Sequence, residues 1–360
     1  MSRAEARTPR DFCQEGYPWP SIADLSDGDR VSGCYVVHAR QQRETRQNKP
    51  YLRLVLGDRS GSVEAVVWED AERAAPMCEP EAVIGVRARV GSYQDRIQLT
   101  VEEVVPLAPE GDDLRLLLPA SERSTDSMIR ELDQRIGSVR DPGLRSLLKR
   151  AIGARGEYRE AYQVHPAAKR NHHAYLGGLL EHSLSLAGSC EVLAGHYQGQ
   201  GIEVDRDLLT AGALLHDIGK VREIRRTGSF AYTDAGHLVG HIVMGVEMVS
   251  RLADGVPELD PGRLQLLLHL IASHQGRHEW ASPAVPRTME AMLLHAADDL
   301  DAKLNQAARH LAGVDTGGWT EWIRPLERAL FRAPPAPDPE GRAARTDDDT
   351  IDLFRPPDPA

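Results

Sequence analysis

The segment AGALLHDIGK, residues 211–220, decides how the second half of the chain is interpreted. Its apolar start is typical of a buried helix, and His216 and Asp217 stand just before Gly219 and Lys220. Neighbouring residues on a helix point about 100° apart, so these two side chains converge most easily in a frayed last turn. There the imidazole and the carboxylate could hold one cation, and the second carboxylate oxygen could reach another. The dipeptide alone is also compatible with a capped helix end that carries a surface ion pair.

Other ligand-type residues lie in helical patterns on both sides of this segment. His182 stands in GGLLEHSLSLA, His241 in GHIVMGVEMV, His274 in IASHQG and Asp298 in LLHAADDLDAK. A single histidine on such a face is usually a hydrogen-bonded core residue. Four helices that each offer a ligand indicate a common site inside a helical bundle. Thirteen of the 14 histidines also lie between residues 165 and 310, which favours a transition-metal site.

The first part of the chain has a different pattern. Between residues 22 and 108, five segments rich in Val, Ile and Tyr are separated by Gly, Asp and Pro turn signals, as in short strands. They fit a small closed barrel of the OB-fold type, with a short helix expected over 71–78. After Pro109 the apolar spacing becomes helical. The sequence therefore predicts a multi-domain protein in which a small all-β OB-type barrel precedes an all-α helical bundle.

This pattern also predicts the domain boundaries. The Pro-rich, aspartate-containing end of the chain is typical of a disordered tail. The predicted segments are an N-terminal extension at 1–21, the barrel at 22–108, a linker at 109–125, the helical domain at 126–315 and the tail at 333–360.

Composition limits the class of protein. The chain has 360 residues, of which 41% are hydrophobic and 27% charged, with a net charge of −11. These values are ordinary for a globular protein and exclude wholesale disorder. No apolar run approaches the roughly 18 residues of a membrane span, and the first residues lack a signal-peptide core. We therefore expect a cytoplasmic protein without a membrane partner. Four scattered cysteines favour neither a disulfide framework nor a zinc ribbon.

The motifs together resemble a known family. The ligand-type positions, in their order, resemble the HD phosphohydrolase superfamily in its multi-metal form. More closely, five segments behind an OB-type barrel are similar to the YhaM family of 3′–5′ exoribonucleases: PAAKRNHHAYLGGLLEHSLSLA, LLHDIGK, GHLVGHIVMG, SHQGRHEWASP and LHAADDLDAK. The resemblance covers roughly residues 22–312. It implies a divalent-metal-dependent exonuclease acting on single-stranded ends, with Mn²⁺ or Co²⁺ expected and Fe²⁺ or Ni²⁺ also admissible.

The resemblance also implies a ligand set. The principal metal site would be formed by His182, His216, Asp217 and Asp298. The Asp217 carboxylate would bridge to a second ion, held partly by His241 and His274, and two such ions activate water and stabilise a phosphodiester under attack. One departure bears on the second ion, because Gln275 stands where the family often has a second histidine and a neutral amide is a poorer ligand.

Further residues near these motifs are candidates for substrate contact. Lys220 could neutralise a phosphate oxygen, although a solvated helix-end lysine is an equal alternative. We assign a catalytic role to His173, which with His172 and Lys169 precedes the first ligand helix and could meet the phosphate or a leaving oxygen. His237, four residues before His241, is an alternative metal ligand on a helix predicted over 237–252.

The barrel contains a candidate surface for nucleic acid. Basic residues cluster in the expected loop between the first two strands, a loop that OB-folds use against nucleic acid. Aromatic side chains on adjacent strands could stack on unpaired bases. The alternative is a solvated loop above ordinary core aromatics. The candidate residues are Arg43, Arg46, Lys49, Tyr51, Arg53, Trp68 and Tyr93.

Together with the barrel and the ligand set, the resemblance implies a metal-dependent 3′–5′ exonuclease that hydrolyses single-stranded RNA, or DNA, to nucleoside 5′-monophosphates. One alternative is an HD phosphohydrolase acting on a small nucleotide or a cyclic dinucleotide, and another is a non-catalytic nucleic-acid-binding adaptor. In the tail, Thr350–Phe354 resembles the short motif with which bacterial replication proteins dock on the sliding clamp. Both RNA and DNA are compatible with the sequence as substrates. Both a monomer and a homo-oligomer are compatible with it as well.

Overall fold

The computed structural model describes residues 7–16, 18–94, 96–109, 111–169, 172–226 and 228–335. Five strands close into a barrel in the order β1-β2-β3-β5-β4, in which β3 and β5 run parallel and the other pairs antiparallel. A first helix, α1, precedes the barrel, and a short helix, α2, connects β3 to β4. The bounds are α1 Pro9–Cys13, β1 Arg30–Glu44, β2 Pro50–Asp58, β3 Gly61–Val67, α2 Ala71–Ala74, β4 Val83–Tyr93 and β5 Arg96–Pro106. The predicted OB-type barrel is confirmed.

The barrel has an apolar interior and a polar outer face because its strands alternate. In β2, Leu52, Leu54 and Leu56 are buried in the barrel, while the alternating residues Tyr51 and Arg53 face outward and are half-buried. Successive strand residues point to opposite faces, so this alternation places the candidate nucleic-acid residues of β2 outside.

The connection between β1 and β2 is shorter than the sequence suggested. The ladder continues through the pair Arg43 and Tyr51 to the end of β1, so Arg43 and Arg53 lie on strands. Only Arg46 and Lys49 stand in the turn. The prediction of a basic loop was wrong here, because a hairpin that projects into solvent can carry charged residues on its paired strands.

Among the described residues after β5, helices predominate, and two short strands, β6 and β7, form a hairpin. The bounds are α3 Asp112–Leu117, α4 Thr125–Ser138, α5 Pro142–Ile152, α6 Arg159–Val164, α7 Gly178–Gln198, α8 Arg206–Leu215, α9 Lys220–Glu223, β6 Ile224–Arg226, β7 Phe230–Tyr232, α10 Asp234–Val239, α11 His241–Ala253, α12 Pro261–Ser273 and α13 Met289–Ala312. The predicted helical bundle is confirmed. None of the described helices is both long and apolar enough to cross a membrane.

The structure divides one predicted helix into two separate helices. The helix expected over 237–252 is interrupted at Gly240, whose φ of 78° is incompatible with a continuous helix. The break places His237 in α10, exposed to solvent and 5.2 Å from the ring of Tyr232, and makes His241 the first residue of α11. The alternative ligand and the favoured ligand therefore do not share a helix face.

The barrel and the helical bundle are joined by a shared apolar core. Ile224 of β6, Phe230 of β7 and Leu176 pack in the same hydrophobic cluster as the barrel interior. Gly228, in the hairpin turn, lies so close to the barrel that a Cβ on it would be 2.2 Å from the carbonyl oxygen of Glu81. The hairpin therefore connects the two parts within one compact unit, which ends at residue 306.

A second compact unit begins at residue 307. Trp319 and Phe331 form an isolated antiparallel bridge in it, with ring centroids 5.2 Å apart. Residues 336–360 lie outside the described residues, so the predicted tail and the Thr350–Phe354 motif stay predictions. The domain boundaries predicted above stay predictions as well.

Candidate metal centre

Helix ends bring the predicted ligands together. His216 follows the last residue of α8, His274 follows the last residue of α12, and His241 begins α11. His182 lies in the second turn of α7 and Asp298 in α13. The side chains of His182, His216 and His274 are buried. The six predicted metal ligands, including Asp217, thus converge on one interior position.

Gly219 shows why the HDIGK segment needs a glycine. A Cβ at this position would lie 1.9 Å from the carbonyl oxygen of His241 and 2.8 Å from the amide nitrogen of Gly245. Backbone atoms cannot yield at such distances, so only glycine lets the start of α11 approach the turn after α8. This approach brings His241 to Asp217.

The four histidines among the predicted metal ligands share one hydrogen-bond arrangement. Each uses Nδ1 toward an oxygen acceptor and turns Nε2 toward the centre. The pairs are His182 with Asp301 at 2.8 Å, His216 with the Ala213 carbonyl at 2.9 Å, His241 with Glu223 at 3.0 Å, and His274 with the Ile271 carbonyl at 2.8 Å. Carbonyl and carboxylate oxygens can only accept, so Nδ1 carries the proton. In the neutral ring Nε2 then keeps its lone pair, which is the form that binds a metal.

The two oxygens of Asp217 face different histidines. Oδ2 lies 3.5 Å from Nε2 of His216 and 3.9 Å from Nε2 of His182. Oδ1 lies 3.3 Å from Nε2 of His241 and 3.7 Å from Nε2 of His274. The carboxylate therefore stands between two pairs of nitrogen donors. Asp298 belongs to the first side, where its Oδ1 is 3.1 Å from Nε2 of His182.

Unpaired polar atoms mark the centre. Oδ1 of Asp217 and Nε2 of His241 are buried and have no hydrogen-bond partner among the described residues. Nε2 of His182 and Nε2 of His216 face each other at 3.2 Å. Buried polar atoms are rarely left unpaired, and two lone pairs that point at one another require a proton or a cation between them. The donor set and its unpaired atoms fit divalent ions.

The charges at the centre also favour binding of a cation. Burial opposes ionisation of Asp217, but Lys220 and His216 hold its pKa well below the ordinary value. Burial also opposes ionisation of Asp298, yet hydrogen bonding to His182 lowers the pKa of this carboxyl. Burial opposes protonation of His182, but Asp298 and Asp301 outweigh it and raise its pKa to about 10, so Nε2 of His182 holds a proton whenever it does not hold a metal ion. The cluster of ionised carboxylates thus attracts positive charge to its interior.

A cavity of about 370 Å³ opens beside the ligands. Lys220 lines it, with Nζ 3.7 Å from Oδ2 of Asp217, and burial is outweighed by Asp217 and Glu223, which raise the pKa of this lysine. His172 also lines the cavity, with its ring centroid 5.6 Å from that of His182. Gln275 lines it too, so the amide that departs from the family pattern lies at the cavity wall.

Comparison with known proteins agrees with this arrangement. The chain is 32% identical over 308 residues to the 3′-5′ exoribonuclease YhaM of Bacillus subtilis, covering 85% of this chain and 96% of that protein. The chain belongs to the YhaM family. The HD domain family matches residues 179–303, and an OB-fold nucleic acid binding domain family matches residues 35–107. The HD domain implies dependence on a divalent metal, and the YhaM-family ligand set described above is the group that could hold it.

Solved structures of OB-fold and single-stranded-DNA-binding proteins are similar to about a quarter of the chain. The second OB-fold domain of replication protein A from Methanococcus maripaludis covers 24% of this chain and 92% of its own, at 15% identity and a TM-score of 0.21. The mitochondrial single-stranded DNA binding protein Rim1 of S. cerevisiae covers 23% and 96%, at 15% identity and a TM-score of 0.21.

His173 lies beside the metal centre in an unexpected position. It is buried, with Nδ1 2.8 Å from the Tyr175 hydroxyl and Nε2 3.0 Å from Oδ2 of Asp301. The same Asp301 oxygen accepts the Nδ1 proton of His182. Both ring nitrogens of His173 are thus engaged within the protein, which favours a supporting position behind His182 over contact with substrate.

The sequence did not single out Asp301 or Glu223, the carboxylates behind the ligands. Glu223 ends α9 and accepts hydrogen bonds from both the backbone amide and Nδ1 of His241, each at 3.0 Å. Asp301 lies three residues after Asp298, and this i, i+3 spacing on one helix face was a usable signal. No local signal marks Glu223, because its partner His241 lies 18 residues further along the chain.

The candidate nucleic-acid residues form two groups. Tyr51 and Trp68 stack on the barrel, with centroids 4.7 Å apart and an interplanar angle of 27°. Arg53 lies on the same face and donates to Glu64 at 2.9 Å, and Tyr93 is 58% exposed. The strand and turn residues Arg43, Arg46 and Lys49 are exposed.

Lys169 is separate from the barrel group. Its Nζ lies 6.0 Å from the ring centroid of Tyr232, at the end of β7. Lys169 therefore lies beside the β6–β7 hairpin.

Proposed function

We propose that this protein is a divalent-metal-dependent 3′–5′ exonuclease that hydrolyses single-stranded RNA to nucleoside 5′-monophosphates. The observation that carries the proposal is the common orientation of four buried imidazoles, whose Nε2 atoms surround both oxygens of Asp217. The substrate and direction are supported by the Bacillus subtilis relative, which is named a 3′-5′ exoribonuclease. Single-stranded DNA is a second substrate to be tested.

Two ions fit the proposed ligand set. His182, His216, Asp298 and Oδ2 of Asp217 would hold one, while Oδ1 of Asp217, His241 and His274 would hold the other. Bound there, divalent cations would lower the pKa of a water molecule and neutralise negative charge on the phosphodiester. Mixed imidazole and carboxylate ligands suit Mn²⁺ or Co²⁺, with Fe²⁺ and Ni²⁺ also acceptable.

The protein's own side chains would orient the substrate. Lys220 is the cation of the cavity wall, and its ammonium group can donate to a non-bridging phosphate oxygen. His172 lines the same cavity, where burial and the nearby Lys220 lower its pKa to about 3, so its ring is neutral at pH 7. For His173 we propose a positioning role, through Asp301, in place of the catalytic role expected from the sequence.

The barrel would hold the single strand. The stacked Tyr51 and Trp68 and the exposed Tyr93 offer π faces to unpaired bases, and each base stacked on an aromatic ring contributes about 1–3 kcal/mol. Arg43, Arg46 and Lys49 would contact the phosphates. Because these contacts are sequence-tolerant, the barrel would retain a strand whose end is repeatedly shortened.

The decisive experiment uses metal-stripped protein that is resupplied with Mn²⁺. The protein is incubated with 5′-labelled single-stranded RNA and with matching DNA, beside an Asp217→Ala control. We expect a ladder that shortens from the 3′ end, absent in the control, and the two rates rank the substrates. If both oligomers stay intact, the proposal fails. Hydrolysis of a small nucleotide or cyclic dinucleotide would then support the second enzymatic function, and metal-independent RNA binding alone would support the adaptor.

Three finer proposals concern location, assembly and partners. A cytoplasmic location would give access to single-stranded RNA, and light scattering of the purified protein would test for a homo-oligomer. Docking on the sliding clamp through Thr350–Phe354 is testable by pull-down, because unchanged clamp binding after deletion of residues 347–354 would rule it out.

A further inference from the structure

The segment after α12 holds a tryptophan at the metal cavity. Trp280 ends a short 3₁₀ turn, His278–Trp280, and lines the cavity together with Asp217, His274 and Asp298. Its side chain remains 43% exposed. The apolar surface of a large aromatic ring thus adjoins the proposed metal ligands and is accessible from solvent.

Hydrogen bonds and close packing hold the backbone of this segment in place. The amide of Gly276 donates to the Ser273 carbonyl at 2.8 Å, and the buried Ser282 donates its hydroxyl to the Ala284 carbonyl at 2.7 Å. Gly276 has a φ of 78°, and a Cβ there would lie 2.2 Å from the ring of His295, so the segment packs directly on α13. Trp280 is therefore presented to the cavity from a fixed backbone.

A second side chain holds the indole ring. The guanidinium carbon of Arg277 lies 4.9 Å from the ring centroid of Trp280, a cation–π contact. The ring of His295 lies 6.1 Å away at an angle of 53°. An aromatic ring fixed in this way loses little conformational freedom when a flat ligand binds against it.

The remaining cavity wall is polar. Its other described lining residues are charged, amide or imidazole side chains, except Ala302. Trp280 is thus the large apolar surface of the described wall. A volume of about 370 Å³ is at the lower end for ligand pockets, which suits one nucleotide at the end of a strand.

We propose that Trp280 is the base-binding surface of the active site, on which the base of the 3′-terminal nucleotide stacks while its phosphodiester lies at the metal ligands. This inference rests on the proposed function and adds a positioning residue to it. Every nucleobase has a π face, so such a surface accepts all four bases. It would secure the terminal nucleotide without restricting the sequence that is degraded.

The test compares ligands with and without a base. Binding of AMP and of ribose 5-phosphate to the Mn²⁺-loaded protein is measured by calorimetry for wild type, Trp280→Ala and Trp280→Phe. We expect Trp280→Ala to weaken AMP binding roughly 5- to 140-fold and to leave ribose 5-phosphate binding unchanged. Trp280→Phe, which keeps an aromatic face, should retain most of the AMP affinity. Trp322→Ala, at a tryptophan that is 68% exposed and outside the cavity wall, is the matched control.

A kinetic arm uses RNA whose last nucleotide is abasic. Wild-type protein should remove this nucleotide more slowly than an intact one, and Trp280→Ala should lose the difference. The inference is overturned if wild type binds AMP no more tightly than ribose 5-phosphate, or if Trp280→Ala weakens both equally. If wild type cleaves no oligomer, the exonuclease proposal fails while the AMP comparison still decides the role of Trp280.

Discussion

Replacing Glu223 by glutamine should weaken metal binding on the His241 side of the candidate centre and leave the His182 side unchanged. The Glu223 carboxylate accepts two hydrogen bonds from His241, at its amide and at Nδ1, and so aims Nε2 of His241 at Oδ1 of Asp217, 3.3 Å away. Glutamine keeps the shape but removes the charge, and its amide group can present a donor to Nδ1. Among the described residues, this carboxylate makes no hydrogen bond to His182 or His216, and its influence on that side is limited to its charge near Lys220.

The size of the effect follows from the hydrogen bonds. A hydrogen bond to a charged partner contributes about 1.5–3 kcal/mol. Losing the charge while keeping one amide acceptor should cost about 2 kcal/mol, which is roughly 30-fold in affinity. This value lies within the roughly 10- to 100-fold loss typical of changes behind a metal ligand.

The assay is a titration of metal-stripped protein with Mn²⁺, followed by calorimetry, which reports the number of sites and their affinities without any substrate. Glu247→Gln is the control, because Glu247 lies on α11, is 56% exposed and pairs with Arg222 at the surface. Asp301→Asn supplies the converse case, since Asp301 accepts the Nδ1 proton of His182. We expect Glu223→Gln and Asp301→Asn to weaken Mn²⁺ binding at different sites of the two.

The reasoning would be refuted by any of three results. Binding of a single Mn²⁺ by the wild-type protein would contradict the proposal of two ions. Unchanged affinities in Glu223→Gln would show that the carboxylate does not position His241. Equal weakening of both sites by Glu223→Gln and by Asp301→Asn would show that the two halves do not bind independently.

Three further predictions concern the fold and the barrel. Gly219→Ala should destabilise the protein by about 3 kcal/mol in chemical denaturation, since its Cβ would clash with backbone, whereas Gly137→Ala, at an open helical position, should be neutral or stabilising. Arg263→Met should lower the free energy of unfolding by about 1–3 kcal/mol at pH 7, because the Arg263 guanidinium pairs with the Asp205 carboxylate. The pairing lowers the pKa of Asp205, so the loss should shrink as the pH falls below about 4 and this carboxylate is protonated. A loss that does not vary with pH would contradict this prediction. Trp68→Ala should weaken single-stranded RNA binding roughly 5- to 140-fold in fluorescence anisotropy, and an unchanged affinity would remove the barrel stack from the interface.

The convergence of the candidate ligands could be predicted from the sequence because each of them interrupts an apolar helical pattern. His182, His216 and His274 stand where core residues are expected, and such positions face the interior of a bundle. Glu223 could not be predicted, since an acid at the end of a four-residue helix resembles any surface glutamate until α11 is placed against it. The contacts of His173 could not be predicted for the same reason, because its partner Asp301 lies 128 residues further along the chain.

The β6–β7 hairpin was missed because three-residue strands are too short to show a period. Its position gives the barrel a structural part in the metal centre. Ile224 and Phe230 are buried in the barrel core, and Ile224 directly follows Glu223, the residue that holds His241. The backbone amide of Thr233, just after β7, also donates to the carbonyl of Glu223 at 2.9 Å. The packing that attaches the barrel therefore also fixes the backbone of Glu223, so the OB-type domain supports the position of His241, a candidate ligand.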